Sequence, residues 1–182
     1  MKLKLSNVRL AFPALFEAKT VNGEGKPAFS AALLIDPADP QVKAINAAID
    51  ATAKEKWGAK TDAILKQLRA GDKVCLHDGD LKASYDGFPG NLFVSARNAV
   101  RPTVLDSDKS PLVAADGKPY AGCYVNAVIE LWAQDNNYGK RVNATLMGVQ
   151  FFRDGDSFTG GGAADESDFD DISSGATADD LA

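Results

Sequence analysis

The chain of 182 residues has few of the residue types on which disulfide-rich and metal-dependent proteins rely. It contains one histidine, His77, and two cysteines, Cys75 and Cys123. Two cysteines are too few for a disulfide framework, and their neighbours have the pattern of strands. We therefore expect two buried, reduced thiols in a cytosolic protein. No run of 18 apolar residues occurs, and the opening MKLKLSNVRLAFP lacks the apolar core of a signal peptide, so we expect neither a membrane span nor an export signal.

The common catalytic arrangements are also absent. His77 has Asp78 and Asp80 beside it, but HDGD is a common hairpin turn, and adjacent turn residues rarely converge on one ion. GEGKPA and GKRV lack the spacing of a phosphate-binding loop. Neither cysteine has a plausible catalytic partner, because the histidine lies two residues from Cys75 on a predicted strand. We predict a binding protein that is not an enzyme and needs no cofactor or metal. A small metal-dependent nuclease around His77, Asp78 and Asp80 is the alternative.

Basic residues are missing from the end of the chain. Nine of the 25 acidic residues lie from Asp154 onward, where no Lys or Arg occurs. Residues 1–153 therefore hold 16 acids and all 20 bases, which gives a body of about +4 and a tail of −9. Gly160, Gly161 and Gly162 make the start of that tail costly to order. We predict one domain over 1–153 and a flexible, disordered acidic tail over 154–182.

Alternating apolar residues predict a mainly β body. Over residues 2–12 the apolar set changes face near Ser6-Asn7, which predicts a bulged strand with Phe12 on the apolar side and Pro13 as its end. Further strands are predicted at 29–36, 73–77, 81–85, 91–100, 122–134 and 140–153. Such strands fit a small antiparallel β-barrel of the OB-fold kind with a helical insertion. An α+β sandwich is the alternative.

Helical periodicity is confined to one part of the chain. Asp39-Pro40 has the residues that begin a helix, apolar residues recur at helical spacing up to Trp57, and Gly58 is suited to end it. A short second helix is predicted over 61–69 and ends near Gly71. Both helices lie between early strands, so they form the predicted insertion.

The strand NLFVSARNAVR suggests a binding surface. Leu92, Val94, Ala96 and Val100 share one parity and form an ordinary core face. The opposite parity places Phe93, Arg97 and Arg101 together. Single-stranded nucleic acid needs such a surface, because rings stack on bases and cations contact phosphates. A packed Phe with two surface arginines is the alternative.

Three predicted hairpin loops repeat this mixture of aromatic and basic residues. The candidates are Lys82, Tyr85 and Phe88 in LKASYDGFPGN, Lys118 and Tyr120 in DGKPYAG, and Tyr138, Lys140 and Arg141 in NNYGKR. For each tyrosine the alternative is a ring that lies on the barrel rim. Trp57 and Trp132 are assigned to packing.

These features together resemble a known family. The opening LSNVRLAFPALFEAK, the stretch VSARNAVRPTVLD, the helical insertion after AALLID and the glycine-led acidic tail resemble the single-stranded DNA-binding proteins of tailed bacteriophages. The resemblance covers nearly the whole chain. It implies an OB-fold that binds single-stranded DNA without sequence preference during phage replication, recombination or repair, in the cytoplasm of the bacterial host. The chain would be a monomer or a dimer.

The acidic tail suggests both a competitor and a docking segment. A tethered −9 strip has a high local concentration near a cationic groove, so we expect it to occupy the groove when DNA is absent and then to contact replication or recombination proteins. The tail candidates are Asp165, Glu166, Asp168, Phe169, Asp170, Asp171, Ile172, Asp179 and Asp180. Relatives often end in an aromatic residue, whereas this chain ends in Leu181-Ala182. The alternatives are a solubilising tail, or a protein-interaction or DNA-mimic module whose body does not bind nucleic acid.

Overall fold

The computed structural model describes residues 1–21, 23–158 and 169–173. Within these ranges the chain forms seven strands, two α-helices and three short 3₁₀ turns. The strands are β1 (Lys2–Val21), β2 (Glu24–Ile35), β3 (Leu76–Asp78), β4 (Leu92–Asn98), β5 (Thr103–Leu105), β6 (Tyr124–Asn136) and β7 (Gly139–Arg153). The helices are α1 (Gln41–Trp57) and α2 (Thr61–Ala70), and the 3₁₀ turns are Gly58–Lys60, Gly79–Lys82 and Ala114–Asp116. In the described part of the chain, no helix is both long and apolar enough to cross a membrane.

Five of these strands close into a barrel. The order β4–β2–β1–β6–β7 is antiparallel throughout, and β7 pairs back onto β4 in parallel at Thr145 and Arg97. The first barrel strand thus pairs with the second and fourth, and the third pairs with the second and fifth. This is the closed Greek-key pattern of the OB-fold. The predicted fold class, a small β-barrel with a helical insertion, is confirmed, and the α+β alternative is wrong.

The core lies inside the barrel because alternate residues of each strand point inward. Val8 and Leu10 on β1, Val94 on β4 and Ile129 on β6 are almost completely buried. The helices join the same core through the buried Ile45, Ala48, Ile49 and Ala53 of α1 and Leu65 and Leu68 of α2.

Two irregularities in β1 decide which side chains face outward. The predicted bulge is confirmed, because the register with β6 shifts between Leu5 and Val8 and Asn7 has a φ of 53°. A second irregularity was not predicted. Phe12 has a φ of 47°, and the register with β2 shifts between Ala11 and Ala14. Pro13 therefore does not end the strand, which continues to Val21.

The helical insertion follows the predicted local signals. The backbone N–H of Gln41 donates to Asp39 Oδ1 at 2.9 Å. The Asp39 carboxylate therefore satisfies one of the free N–H donors at the start of α1. Gly58 follows the helix with a φ of 56°, a conformation that suits glycine. The segment 81–85 is not a strand. It begins inside the 3₁₀ turn Gly79–Lys82, and Gly79 is needed there because a Cβ would collide with the carbonyl oxygens of Phe88 and Asn91.

Both cysteines are free and buried, as predicted. Burial raises the pKa of the Cys75 thiol to about 12 and that of Cys123 to about 11. Thiols with such high pKa values are almost entirely protonated at neutral pH and are poor nucleophiles.

The segment after β7 stays on the body instead of leaving it at Arg153. The Tyr120 hydroxyl donates to Asp154 Oδ1 at 2.7 Å, and the Phe158 N–H donates to the Ala121 carbonyl at 3.0 Å. The segment Asp154–Phe158, here called the strap, therefore packs on the domain for five residues beyond the boundary expected from charge.

Candidate nucleic-acid interface

A groove of about 820 Å³ crosses the outside of the barrel. Its lining comes mainly from β2, β4, β6 and β7, with contributions from β1, from β3 and from the segments on either side of β3. It thus lies on the face of the second and third barrel strands, between the hairpin that joins β1 to β2 and the hairpin that joins β6 to β7. That is the face on which OB-folds bind oligonucleotides and oligosaccharides.

The charge of this groove is positive. Its lining includes Lys19, Lys82, Arg97 and Arg141, and none of the described lining residues is Asp or Glu. None of these four bases forms an ion pair within the described ranges. A concentration of unpaired cations in a chain with more acids than bases creates a local field that favours a polyanion.

The predicted faces of β4 are confirmed between Phe93 and Arg97. Val94 and Ala96 are buried in the barrel core, whereas Ser95 and Arg97 are exposed and line the groove. The parity does not extend to Arg101, because β4 ends at Asn98. The Arg101 guanidinium lies 5.3 Å from the centroid of Phe16 and donates a long hydrogen bond of 3.5 Å to the Leu112 carbonyl. The structure therefore does not bring Arg101 to the groove.

Phe93 faces the groove side of the sheet but is not an open platform. Only 4% of the residue is exposed, because it packs in a small outer cluster with Ala11, Ala32, Leu34 and Phe88. The His77 ring stacks on it at 4.9 Å, and Lys82 Nζ lies 5.5 Å from its centroid. The ring thus forms the floor beneath His77 and Lys82.

Phe88 is also buried, which contradicts its prediction as a loop ring that stacks on bases. It is 1% exposed and meets Phe93 edge-on at 5.0 Å. The Gly/Pro-rich loop folds back over the outside of the sheet. Phe88 therefore packs against Phe93 and holds that floor residue of the groove in place. Strand periodicity gives no signal for such a loop.

A pair of exposed rings stands at the edge of the groove. Phe12 and Tyr85 are each about half exposed, and their ring centroids are 4.9 Å apart at an interplanar angle of 87°. Tyr85 was predicted as a site residue, whereas Phe12 was expected to face the core. The second irregularity of β1 turns Phe12 outward into the groove lining.

Trp132 was assigned to packing, but the structure makes it a second exposed ring of the groove lining. It is 46% exposed and lines the groove beside Gln134, Arg141 and Asn143. Its neighbour Leu131 faces the core, so the alternation along β6 places Trp132 outside. That parity was the signal that could have identified it.

Lys118 and Tyr120 are two further predicted site residues that lie away from the groove. Lys118 Nζ is 2.9 Å from Asp106 Oδ2 and 4.9 Å from the centroid of Phe151. The hydrogen bond from Lys118 lowers the pKa of Asp106, and the same bond raises the pKa of Lys118. Tyr120 binds the strap, and its hydrogen bond to Asp154 raises the pKa of the phenol. Neither side chain lines the groove.

Three residues of the hairpin between β6 and β7 were predicted as site residues, and one of them lines the groove. Arg141 lines the groove, as described above. Tyr138 is 90% exposed at the tip of the hairpin, and Lys140 Nζ lies 3.7 Å from Asp135 Oδ1. Neither Tyr138 nor Lys140 is part of the groove lining.

The segment around His77 has the contacts of a structural turn. His77 Nδ1 lies 2.7 Å from Asp72 Oδ1, and Asp78 Oδ1 accepts the backbone N–H of Asp80 at 2.9 Å. Among the residues that the structure describes, no three side chains of metal-binding type come together.

The structure describes four of the nine tail candidates. Phe169, Asp170, Asp171 and Ile172 are exposed, with Phe169 at 71% and Ile172 at 75%. Asp165, Glu166, Asp168, Asp179 and Asp180 lie outside the described residues.

The fold and the groove define the class of this protein, an OB-fold domain with a basic groove lined by aromatic rings on its ligand-binding face. Comparison with known proteins identifies the family. A family model described as the ssDNA-binding protein of Enterobacter phage Enc34 matches residues 1–182, and the chain belongs to that family. The resemblance seen in the sequence is thereby confirmed.

Individual relatives agree with this placement. The chain is 51% identical over 176 residues to protein p50 of Acyrthosiphon pisum secondary endosymbiont phage 1, with 95% of each chain covered. The single-stranded DNA-binding protein of bacteriophage Enc34 in complex with ssDNA is 29% identical with a TM-score of 0.72, over 86% of this chain and 89% of that one. The gp2.5 protein of bacteriophage T7 is 12% identical with a TM-score of 0.58, over 90% and 98%, which shows a shared fold.

Proposed function

We propose that this protein binds single-stranded DNA without sequence preference and acts in phage DNA replication, recombination or repair in the bacterial host cell, as a binding protein and not an enzyme. One observation carries the proposal. The groove on the ligand face of the OB-fold is lined by four Lys and Arg side chains that form no ion pair within the described residues. None of its described lining residues is acidic, and exposed aromatic rings stand beside the four cations. The bound ssDNA of the Enc34 relative supports the choice of ligand.

The groove can bind DNA through two kinds of contact. Arg97, Arg141, Lys82 and Lys19 neutralise phosphates and release counterions, so affinity should fall steeply as salt rises. The exposed rings stack on bases, and because every base has a π-face this contact is tolerant of sequence.

The rings have different tasks in this mechanism. Phe12, Tyr85 and Trp132 are exposed and supply the stacking surfaces. Phe93 and Phe88 are covered and hold the floor in place. Tyr138 and Lys140 stand on the hairpin beside the groove, where DNA that extends past Arg141 would meet them.

The tail gives the proposal a regulatory part. The strap holds the chain against the body as far as Phe158, and the 24 residues beyond it carry seven acids and no base. We infer that this segment competes with weak ligands for the groove and that long single strands displace it. Once displaced, it is available to replication or recombination proteins.

Anisotropy titrations of labelled single- and double-stranded oligonucleotides, with Mg²⁺ and with chelator, test the central claim. We expect tight binding of single strands, little effect of metal and no degradation. Absence of binding by both the full chain and a tail-deleted chain would favour the protein-interaction or DNA-mimic alternative. Metal-dependent loss of the oligonucleotide would favour the nuclease centred on His77.

Deletion of residues 159–182 tests the tail. The cut falls after the strap, so the contacts of Asp154–Phe158 with the body are kept. We expect higher affinity at low salt and a smaller gain at high salt, where charge competition is screened. Equal affinities of the two chains at every salt concentration would refute the competition.

A further inference from the structure

A row of paired residues runs from the groove floor around the outside of the closed barrel. Phe93 pairs with Leu34, Leu34 with Arg9, Arg9 with Tyr124, and Tyr124 with Arg153. The row therefore crosses β4, β2, β1, β6 and β7 without a break. At about 4.8 Å per strand the row is roughly 19 Å long, measured along the curved surface of the barrel.

The side chains of this row lie on the outside of the barrel. Phe93 and Leu34 belong to the outer cluster, where Phe88 and Phe158 cover them and leave only 4% and 3% exposed. Arg9 lies between the buried Val8 and Leu10, and Tyr124 follows the buried Cys123, so strand alternation directs both outward.

The far half of the row has the same chemistry as the groove. The Arg153 guanidinium lies 3.7 Å from the centroid of Tyr124, and that of Arg9 lies 5.7 Å from it. Arg153 donates to Asn7 Oδ1 at 3.3 Å. Within the described ranges neither arginine forms an ion pair with a carboxylate. A cation beside a partly exposed ring can bind phosphate, and the ring can stack on a base.

The strap holds Arg9 in place. Arg9 Nη2 donates to the Asp156 carbonyl at 2.8 Å, its Nε donates to the Gly122 carbonyl at 3.0 Å, and its guanidinium lies 4.3 Å from the centroid of Phe158. Arg9 is thus a positioning residue whose donors are largely used. Arg153 is exposed, and of its guanidinium nitrogens Nε donates to Asn7, so its other donors can meet a ligand.

We propose that Tyr124 and Arg153 form a second contact site for the single-stranded DNA that occupies the groove, reached by a strand that passes over the covered middle of this row. The proposal rests on the proposed function and lengthens its binding site. The occupant is DNA because the exposed end of the row repeats the combination of an unpaired cation and a ring that lines the groove.

The test is a length series of oligothymidylates from about 4 to 30 nucleotides, which brackets the site sizes of OB-folds. The variants are Arg153→Ala and Tyr124→Leu. Lys66→Ala is the matched control, because it removes one exposed positive charge from α2, outside both the groove and the row. Thermal unfolding of each variant checks that the fold is kept.

We expect Arg153→Ala to weaken the binding of long oligonucleotides by about fivefold or more relative to Lys66→Ala, and to lower their salt slope by about 1. The shortest oligonucleotides, which fill only the groove, should bind Arg153→Ala and Lys66→Ala with equal affinity. Tyr124→Leu should show the same dependence on length. The length at which affinity stops rising should be shorter in both row variants than in the unaltered chain.

Three results would overturn the second site. Unchanged affinity of Arg153→Ala at every oligonucleotide length would refute the second contact site without contradicting the proposed function. An equal loss at every length would show a general effect of charge and not an extension of the site. Failure of the unaltered chain to bind any oligonucleotide would refute the proposed function and this inference with it.

Discussion

Replacement of Trp132 by Ala offers the sharpest test of the groove. The ring is 46% exposed, lines the groove and was assigned to packing by the sequence, so an effect on DNA binding would come from its tertiary position. Stacking on one base contributes about 1–3 kcal/mol. At about 1.4 kcal/mol per tenfold, Trp132→Ala should weaken binding by about 5- to 150-fold.

Removal of a half-exposed ring should destabilise the fold less than removal of a buried ring. Trp132→Ala should therefore lower the free energy of unfolding by less than the roughly 3–5 kcal/mol expected when a core aromatic residue is replaced by Ala. The matched control is Phe152→Ala, because Phe152 is also 46% exposed but does not line the groove. Both variants are titrated by anisotropy with an oligothymidylate short enough to fill only the groove.

A second readout follows the ring itself. The chain has two tryptophans, and Trp57 Nε1 donates to Asp135 Oδ2 at 3.0 Å. A Trp57→Phe variant leaves Trp132 as the only tryptophan, and its fluorescence should be quenched when short DNA binds. If Trp132→Ala binds DNA as Phe152→Ala does and no quenching is seen, Trp132 does not stack on DNA.

Three further predictions follow from the described contacts. Arg97→Ala should lower affinity and reduce the salt slope by about 1, whereas Lys66→Ala should not, as measured by titrations at several salt concentrations. Phe88→Ala should lower the free energy of unfolding by about 3–5 kcal/mol in urea denaturation, and a loss below about 1 kcal/mol would contradict its role under the groove. Gly122→Ala should destabilise more than Gly139→Ala, because the two positions share a φ near 105°, yet only at Gly122 would the new methyl group collide with the strap. Equal losses in thermal unfolding would show that the strap is not tightly packed there.

Local sequence signals predicted the elements whose causes are local. The boundaries of α1 follow from Asp39 and Gly58, which act on the first and last turns of the helix itself. The inward and outward faces of β4 follow from strand geometry, because side chains alternate whatever the strand pairs with. The first bulge of β1 also left its mark in the sequence, as a change in the phase of the apolar residues.

The site was predicted only in part, because a strand pattern tells which side of a strand is apolar but not what covers it. Phe93 faces the predicted side, yet a loop brings Phe88 against it and His77 stacks on top. Phe12 departs from the pattern because its backbone adopts a positive φ, which reverses the face of one residue.

The sequence alone therefore determined the β-rich body with its helical insertion, the contrast between a basic body and an acidic end, and the family, because composition, periodicity and motifs are properties of short segments. Only the tertiary structure decided which Lys and Arg side chains share the groove and which aromatic rings remain exposed. Closure of the barrel between β4 and β7 brings Arg97 and Arg141 into one groove from distant parts of the chain, and no local pattern encodes that approach.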